Sequence, residues 1–363
     1  MPDINVKNGV LVFNNWAQVD STVDYLNDKG ENFIDQWEQN LGFVSLRKTF
    51  NQFVDAETKM DVKLDKDFKD KEKNITEEIF LQRHNPIVNK FENSVTLVTM
   101  KDGGKYYDMN INLNYDYLAP LVNKNGIIAV DNIIYRFTMN DVRVIGDGDW
   151  AKLPELLSEN SCDVKYLKSD DFFKMFSQEN ISNKLKSLPI DPPPDPDCNH
   201  NTYSVPTSND WNYYISDTDG KMKTLIYYTF YQRHFWYNDY QCNYHSYYKT
   251  NFTYKIRSLK EGFLGYYYNY NAEIKVANYQ DVTNMPIASF GLEWEVSANT
   301  FSKTIFSKTT YSSSNIPDVH SSYVWVRVKG DFGKNVSKIN VTDGVMTYPA
   351  HWYDSQDPSW PFG

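Results

Sequence analysis

The residues best equipped for chemistry are few and scattered: Cys162, Cys198 and Cys242, with His200, His234 and His245. Cys198-x-His200, His234 and Cys242-x-x-His245 together hold enough nitrogen and sulfur for tetrahedral zinc. The short spacings are loose for a zinc site, however, and histidines in a tyrosine-rich strand commonly serve as surface hydrogen-bonding groups. In an oxidising compartment three cysteines make one pair and one leftover. A Cys198–Cys242 bridge would close a loop of about 45 residues, stabilising by roughly 3–4 kcal/mol, and leave Cys162 as a buried free thiol. Disulfide is the preferred reading, free thiols and zinc stay open, and no metal ligand is assigned.

Carboxylates offer a second chemistry. Glu293 and Glu295 flank Trp294 in a β-like run, so alternation puts both on one face about 6.5–7 Å apart. That is close to the separation used by inverting glycosidases. A strand with one solvated face gives the same pattern routinely, and a general acid needs burial to raise its pKa, so the plain strand is preferred. Asp147-Gly148-Asp149 offers two carboxylates to calcium but lacks the further acidic positions of an EF-hand loop, and a turn is the better reading. No nucleophile elbow, phosphate-binding glycine loop, His-Glu-x-x-His helix or dinucleotide fingerprint occurs. No catalytic residue and no cofactor is therefore assigned.

Aromatic residues carry the strongest signal. Tyr227 to Tyr240 runs Tyr-Tyr-Thr-Phe-Tyr-Gln-Arg-His-Phe-Trp-Tyr-Asn-Asp-Tyr, and Gly265-Tyr-Tyr-Tyr-Asn-Tyr-Asn271 follows. On a strand, Tyr266, Tyr268 and Tyr270 share one face. With Trp236 they are the candidate ligand-binding residues, because exposed rings stack on the apolar faces of sugars while neighbouring Asn, Asp and Arg bind the hydroxyls. Cross-strand pairing of half-buried rings is the structural alternative for each one.

These residues must be placed by larger elements. The proline cluster Asp191-Pro-Pro-Pro-Asp-Pro196 divides the 363 residues into parts of different composition: seven of the 28 tyrosines precede it and 21 follow. Tyrosine favours strands. The expected architecture is an α+β N-terminal region, residues 1–190, followed by an all-β, antiparallel, sandwich-like domain, residues 191–363. Asn8-Gly9 reads as a turn before strand Val10–Phe13. Asn15 caps a helix bearing Trp16, Val19, Val23 and Leu26. Phe33, Trp37 and Leu41 mark a second helix ending at Gly42. Ser45 caps a third bearing Leu46, Phe50, Phe53 and Val54. The charged run Asp61–Lys73 reads as a solvated helix face or loop. After Asn85-Pro86 the pattern changes to short strands: Val95–Met100, Ile127–Val130, Asn132–Phe137 and Val142–Ile145. Residues 150–187 read as short helices, with Leu153, Leu156, Leu157, Phe172, Phe173 and Phe176 on the apolar side.

Lys+Arg 37 against Asp+Glu 47 gives a net charge of −10, which disfavours nucleic acid as a partner. No apolar run approaches the roughly 18–20 residues of a membrane span.

The stretch Asp35-Gln-Trp-Glu-Gln-Asn-Leu-Gly-Phe-Val-Ser-Leu-Arg47 resembles the N-terminal region of exported proteins of gut Bacteroidetes that carry domains of unknown function. Asn125-Gly-Ile-Ile-Ala-Val-Asp-Asn-Ile-Ile-Tyr-Arg-Phe137 is similar to their glycine, strand, turn, Ile-Tyr-Arg element. The resemblance covers about the first 150 residues. It implies export to the outer membrane or periplasm, usually as a lipoprotein. Met1-Pro2-Asp3 is polar, so the only membrane attachment expected is a lipid anchor absent from this chain. The functional expectation is an envelope-associated binding or adhesion protein with an extracellular glycan or surface protein as partner. A polysaccharide hydrolase and a structural subunit of a surface assembly are its rivals.

Overall fold

The computed structural model describes residues 4–27, 29–69, 76–158, 164–168, 203–206, 211–238, 244–263, 265–279, 294–300, 302–312, 321–330, 333–342 and 345–347. The chain divides into two units: Met1–Phe173 together with Gly262–Tyr268, and Lys174–Glu261 together with Asn269–Gly363.

The first unit opens with a hairpin of Asn5–Lys7 (β1) and Val10–Phe13 (β2). Asn8 and Gly9 have φ of 53° and 72°, the left-handed pair that a two-residue hairpin turn requires. Helix α1 (Trp16–Asn27) starts at Asn15, whose side-chain oxygen accepts from the Gln18 amide at 2.9 Å. Helix α2 (Glu31–Leu41) stops at Gly42, in the left-handed conformation at φ 63°. Helix α3 (Leu46–Lys69) buries Leu46, Phe50, Phe53, Val54, Met60 and Leu64 along one face. That stripe carries the helix into the charged run, which is helical as far as Lys69.

Helix α4 (Glu77–Lys90) corrects the expectation that strands begin after Pro86, for the helix passes through the proline to its last turn. A proline inside a helix costs about 3 kcal/mol. The fully buried Phe80 and His84, on the turns just before it, anchor the helix against that cost.

A hairpin of Val95–Thr99 (β3) and Lys105–Met109 (β4) follows. Next come Ile127–Val130 (β5), Ile133–Phe137 (β6), Asp141–Ile145 (β7), a 3₁₀ helix at Trp150–Leu157 and Lys165–Lys168 (β8). The main sheet runs β1-β2-β5-β6-β7-β8. Strands β2 and β5 are parallel, and the other neighbours are antiparallel. Val10, Ile127, Ala129, Ile134, Ile145 and Leu156 form its core.

The second unit is built from strands. In chain order they are Tyr203–Pro206 (β9), Trp211–Asp219 (β10), Met222–Asn238 (β11), Tyr244–Glu261 (β12), Tyr267–Asn269 (β13), Ala272–Tyr279 (β14), Trp294–Thr300 (β15), Ser302–Ser312 (β16), Ser321–Gly330 (β17), Gly333–Thr342 (β18) and Val345–Thr347 (β19). Strands β9 and β10 both pair with β11, β11 with β12, and β12 with β16. A separate sheet runs β15-β14-β17-β18-β19. All of these pairs are antiparallel, as expected for this half. Strand β11 is 17 residues long, about 55 Å at roughly 3.3 Å per residue, and pairs with β12 over its whole length, from Met222↔Lys260 to Asn238↔Tyr244. Met222, Leu225 and Ile226 of β11 and Ile256 and Leu259 of β12 are fully buried at one end of this hairpin.

Candidate functional site

Strand pairing puts aromatic residues of the second unit in register. On β10, β11 and β12, Trp211, Phe230 and Phe252 are directly opposite one another, and so are Tyr213, Tyr228 and Tyr254. Residues two apart on a strand occupy the same face, so these six positions form two adjacent rows on one side of the sheet. The next row on that side is Ile215, Ile226 and Ile256, where Ile226 and Ile256 are fully buried. Trp236, six residues past Phe230, falls on the same side, opposite Ser246 of β12 and Tyr203 of β9. This grouping escapes sequence reading because it depends on which strands pair and in what register.

Tyr266, Tyr268 and Tyr270 do not make one row. The strand at this point covers only Tyr267–Asn269. Tyr266 and Tyr268 belong to the first unit and Tyr270 to the second. Tyr268 is 2 % exposed, packed with Met60, Leu64 and Phe80, and is a core residue rather than a surface platform. Tyr266 is half-buried, with its ring centre 5.0 Å from that of Phe80. Tyr270 is also half-buried and lies so near Gly330 that a Cβ there would come within 2.8 Å of its ring.

The segment Gly262–Tyr268 is therefore part of the helical unit. Its turn is closed by bonds from the Gly262 amide to the Tyr266 carbonyl and from the Tyr266 amide to the Phe263 carbonyl, each 2.9 Å. It is tied to β4 by the Lys105 amide, which donates to the Gly265 carbonyl at 2.8 Å. Tyr266 and Tyr268 then cover a pair of titratable groups: His84 Nε2 lies 2.8 Å from Glu57 Oε1, and both residues are at most 2 % exposed. The His84 ring stacks on Phe80 at 5.0 Å and has Tyr107, Tyr266 and Tyr268 at 5.3, 5.9 and 6.5 Å.

Burial pushes the Glu57 carboxyl above its ordinary range, and Asp61 adds to this, while the hydrogen bond and charge of His84 oppose it. Burial and the carboxylates of Asp61, Glu57 and Asp65 raise Tyr268. Burial, then Tyr266 and Glu57, raise Tyr107. This is the largest convergence of titratable groups among the described residues that carry a resolved shift. A closed shell of rings separates it from any substrate, so its chemistry as seated is proton holding rather than turnover. Its partners are 27 residues apart with no motif. The one available signal was Glu57 itself, a charged residue on the Phe50, Phe53, Met60, Leu64 stripe of α3.

The two stretches that carry the family resemblance serve the fold. Trp37, Phe43 and Leu46 are buried around the α2–α3 turn. Glu38 Oε1 accepts from Ser45 Oγ at 2.7 Å, and Ser45 Oγ in turn caps α3 by accepting from the Lys48 amide at 3.0 Å. Arg47 closes the clasp, pairing with Glu38 at 3.0 Å, with Asp35 at 2.5 Å and with Glu31. Burial disfavours the Arg47 charge, but Glu31 and Glu38 outweigh it and hold the guanidinium above its ordinary value.

In the second stretch, Asp131 and Asn132 make the left-handed turn between β5 and β6. Arg136 donates to the carbonyls of Asn125 and Leu156 at 3.1 and 2.7 Å. Burial and the neighbouring Arg143 bring Arg136 down to about 10.

Asp147 and Asp149 are committed to a turn. Asp147 accepts from the Asp149 amide at 3.1 Å and from Lys152 Nζ at 2.5 Å, and Asp149 caps the 3₁₀ helix through the Ala151 amide at 2.9 Å. Cys162, Cys198, Cys242, His200 and Glu293 lie outside the described residues, so neither the Cys198–Cys242 bridge nor the paired glutamates have described geometry. Among the described residues no group of three or more His, Cys, Asp or Glu is arranged to hold a metal ion, and no helix is long and apolar enough to cross a membrane.

No protein-family model and no curated protein matches the chain. Among solved structures it is similar to a DUF4848 family protein from Bacteroides thetaiotaomicron, at 10% identity and a TM-score of 0.28, over 93% of this chain and 100% of that one. The likeness is a distant one to a Bacteroidetes domain of unknown function, and says nothing about a ligand.

Proposed function

We propose that this chain is an envelope-associated binding or adhesion protein that recognises extracellular glycan on the aromatic face of its long hairpin, with the two C-terminal sheets stacked as a sandwich. The observation that supports it is the register of Trp211, Phe230 and Phe252 beside Tyr213, Tyr228 and Tyr254. Six rings in two adjacent rows, with Trp236 further along the same side, suit the stacking of successive sugar rings, which need flat apolar faces at strand spacing. Export and envelope attachment enter through the resemblance of Asp35–Arg47 and Asn125–Phe137 to exported Bacteroidetes proteins.

The test is a glycan-array screen of the full chain. The C-terminal half alone is unsuitable, because Tyr266 and Tyr268 complete the core of the other unit. A retained glycan whose binding is lost in Trp211→Ala or Phe230→Ala, with unfolding midpoints unchanged, supports the reading. Absence of binding to every glycan, together with recovery of a stable protein partner, would sink the glycan part of it.

A further inference from the structure

We propose that Gly262–Tyr268 is a proton-sensitive latch, seated on α3 and α4 while the Glu57–His84 pair beneath it holds a proton and released when that proton is lost. The geometry carries this. Helices α3 and α4 and strand β4 form three walls of the chamber around His84, and each is held by a regular ladder of backbone hydrogen bonds. The remaining wall is the pair of rings on Tyr266 and Tyr268, carried by a short segment held through turn bonds and one bond from the Lys105 amide to the Gly265 carbonyl. Of all the walls, this segment has the least backbone structure to break.

With one proton shared between them, Glu57 and His84 carry no net charge, and a neutral hydrogen-bonded pair suits a shell of rings. Removing that proton leaves a net negative charge inside the shell. Every other charged or titratable group facing it makes matters worse or offers nothing: Asp61 and Asp65 from α3 are acidic, and Tyr107 from β4 and Tyr266 and Tyr268 from the segment are phenols. Lys105 of β4 stands 6.0 Å from the outer Tyr266 ring rather than within the shell. Admitting water is the remaining way to solvate the charge, and that requires the two tyrosines to lift. The raised Glu57 titration agrees in direction, since a carboxyl that keeps its proton in the seated state favours that state until the proton leaves. Glu261, the last residue of β12, runs directly into Gly262, so release frees the end of the strand that carries Phe252 and Tyr254.

Hydrogen exchange of the full chain, corrected for intrinsic rates, tests the latch between pH 5 and pH 9. The amides of Phe263–Tyr268 should lose protection about tenfold per pH unit once the proton is lost, while those of Ile127–Val130 in the other core of the unit stay unchanged. Glu57→Gln fixes a neutral partner for His84 and should abolish the dependence. Asp61→Asn removes a charge that keeps the proton on Glu57, so its transition should move to lower pH. A flat wild-type profile, loss of protection spread equally over Ile127–Val130, or a Glu57→Gln slope equal to wild type would each overturn the proposal. If Glu57→Gln does not fold, an unmoved transition in Asp61→Asn does the same.

Discussion

Ser45 Oγ donates to Glu38 Oε1 at 2.7 Å across the α2–α3 turn, and neither residue reaches solvent. One bond thus links the end of one helix to the cap of the next. Arg47, two residues into the second helix, adds the counter-charge that a buried carboxylate needs. The clasp accounts for the spacing of Trp37, Glu38, Gly42, Phe43, Ser45 and Arg47 without any ligand.

Breaking the clasp should be costly and non-additive. Glu38→Ala leaves Arg47 partly buried with only the exposed Asp35 and Glu31 as partners, and should lower stability by about 3 kcal/mol. Ser45→Ala should cost about 1 kcal/mol through the lost cap. Because the two share a bond, the double variant should cost less than the sum. Urea unfolding followed by circular dichroism measures all three, and strict additivity would show that the bond contributes nothing.

At Gly126 the backbone itself forbids a side chain. Its φ is 78°, and a Cβ there would meet the Phe137 carbonyl oxygen at 2.3 Å. That oxygen belongs to β6, whose ladder with β7 cannot give way locally. Gly126→Ala should therefore destabilise by about 2–3 kcal/mol, well beyond the usual glycine-to-alanine effect, as read by the shift in unfolding midpoint. Gly9→Ala, with a similar φ and open space around it, should cost less.

Two substitutions at Tyr268 separate core packing from ligand contact. The ring is buried among Met60, Leu64 and Phe80, and its hydroxyl has no hydrogen-bond partner among the described residues. Tyr268→Ala should cost about 3–5 kcal/mol. Tyr268→Phe should be neutral or slightly stabilising, because it removes an unsatisfied polar atom. A large loss from Tyr268→Phe in thermal unfolding would contradict this packing.

Stability should also follow pH through Glu57. Its folded titration lies above the unfolded value, so the folded state binds the proton more tightly. The contribution is fully present below the ordinary carboxyl range and is lost as pH rises through the raised folded value. The difference in melting temperature between wild type and Glu57→Gln should therefore become less favourable to wild type as pH increases across that window. A constant difference would show that Glu57 does not titrate on folding.

Much of the N-terminal fold was legible in local chemistry. Asn8-Gly9 and Asp131-Asn132 specify their hairpin turns, Asn15 and Ser45 their helix starts, and Gly42 its helix end, because each acts on backbone within a few residues. The strands of β5, β6 and β7 were legible for the same reason. Helix α4 was not, since Pro86 argues against it locally and only the burial of Phe80 and His84 overrides that argument.

By itself the sequence determined the local turns and caps, the strand-rich character of the tyrosine-bearing half, and the acidic charge that disfavours nucleic acid. The tertiary structure alone decided which aromatics stand together. Tyr266, Tyr268 and Tyr270 alternate in sequence, yet the chain bends into the helical unit between Glu261 and Asn269 and takes the first two into its core. Trp211, Phe230 and Phe252, distant in sequence, meet through strand register. Glu57 and His84 meet because two helices pack. Period and spacing reach only a few residues along the chain, whereas register and helix packing are fixed by what the whole fold buries.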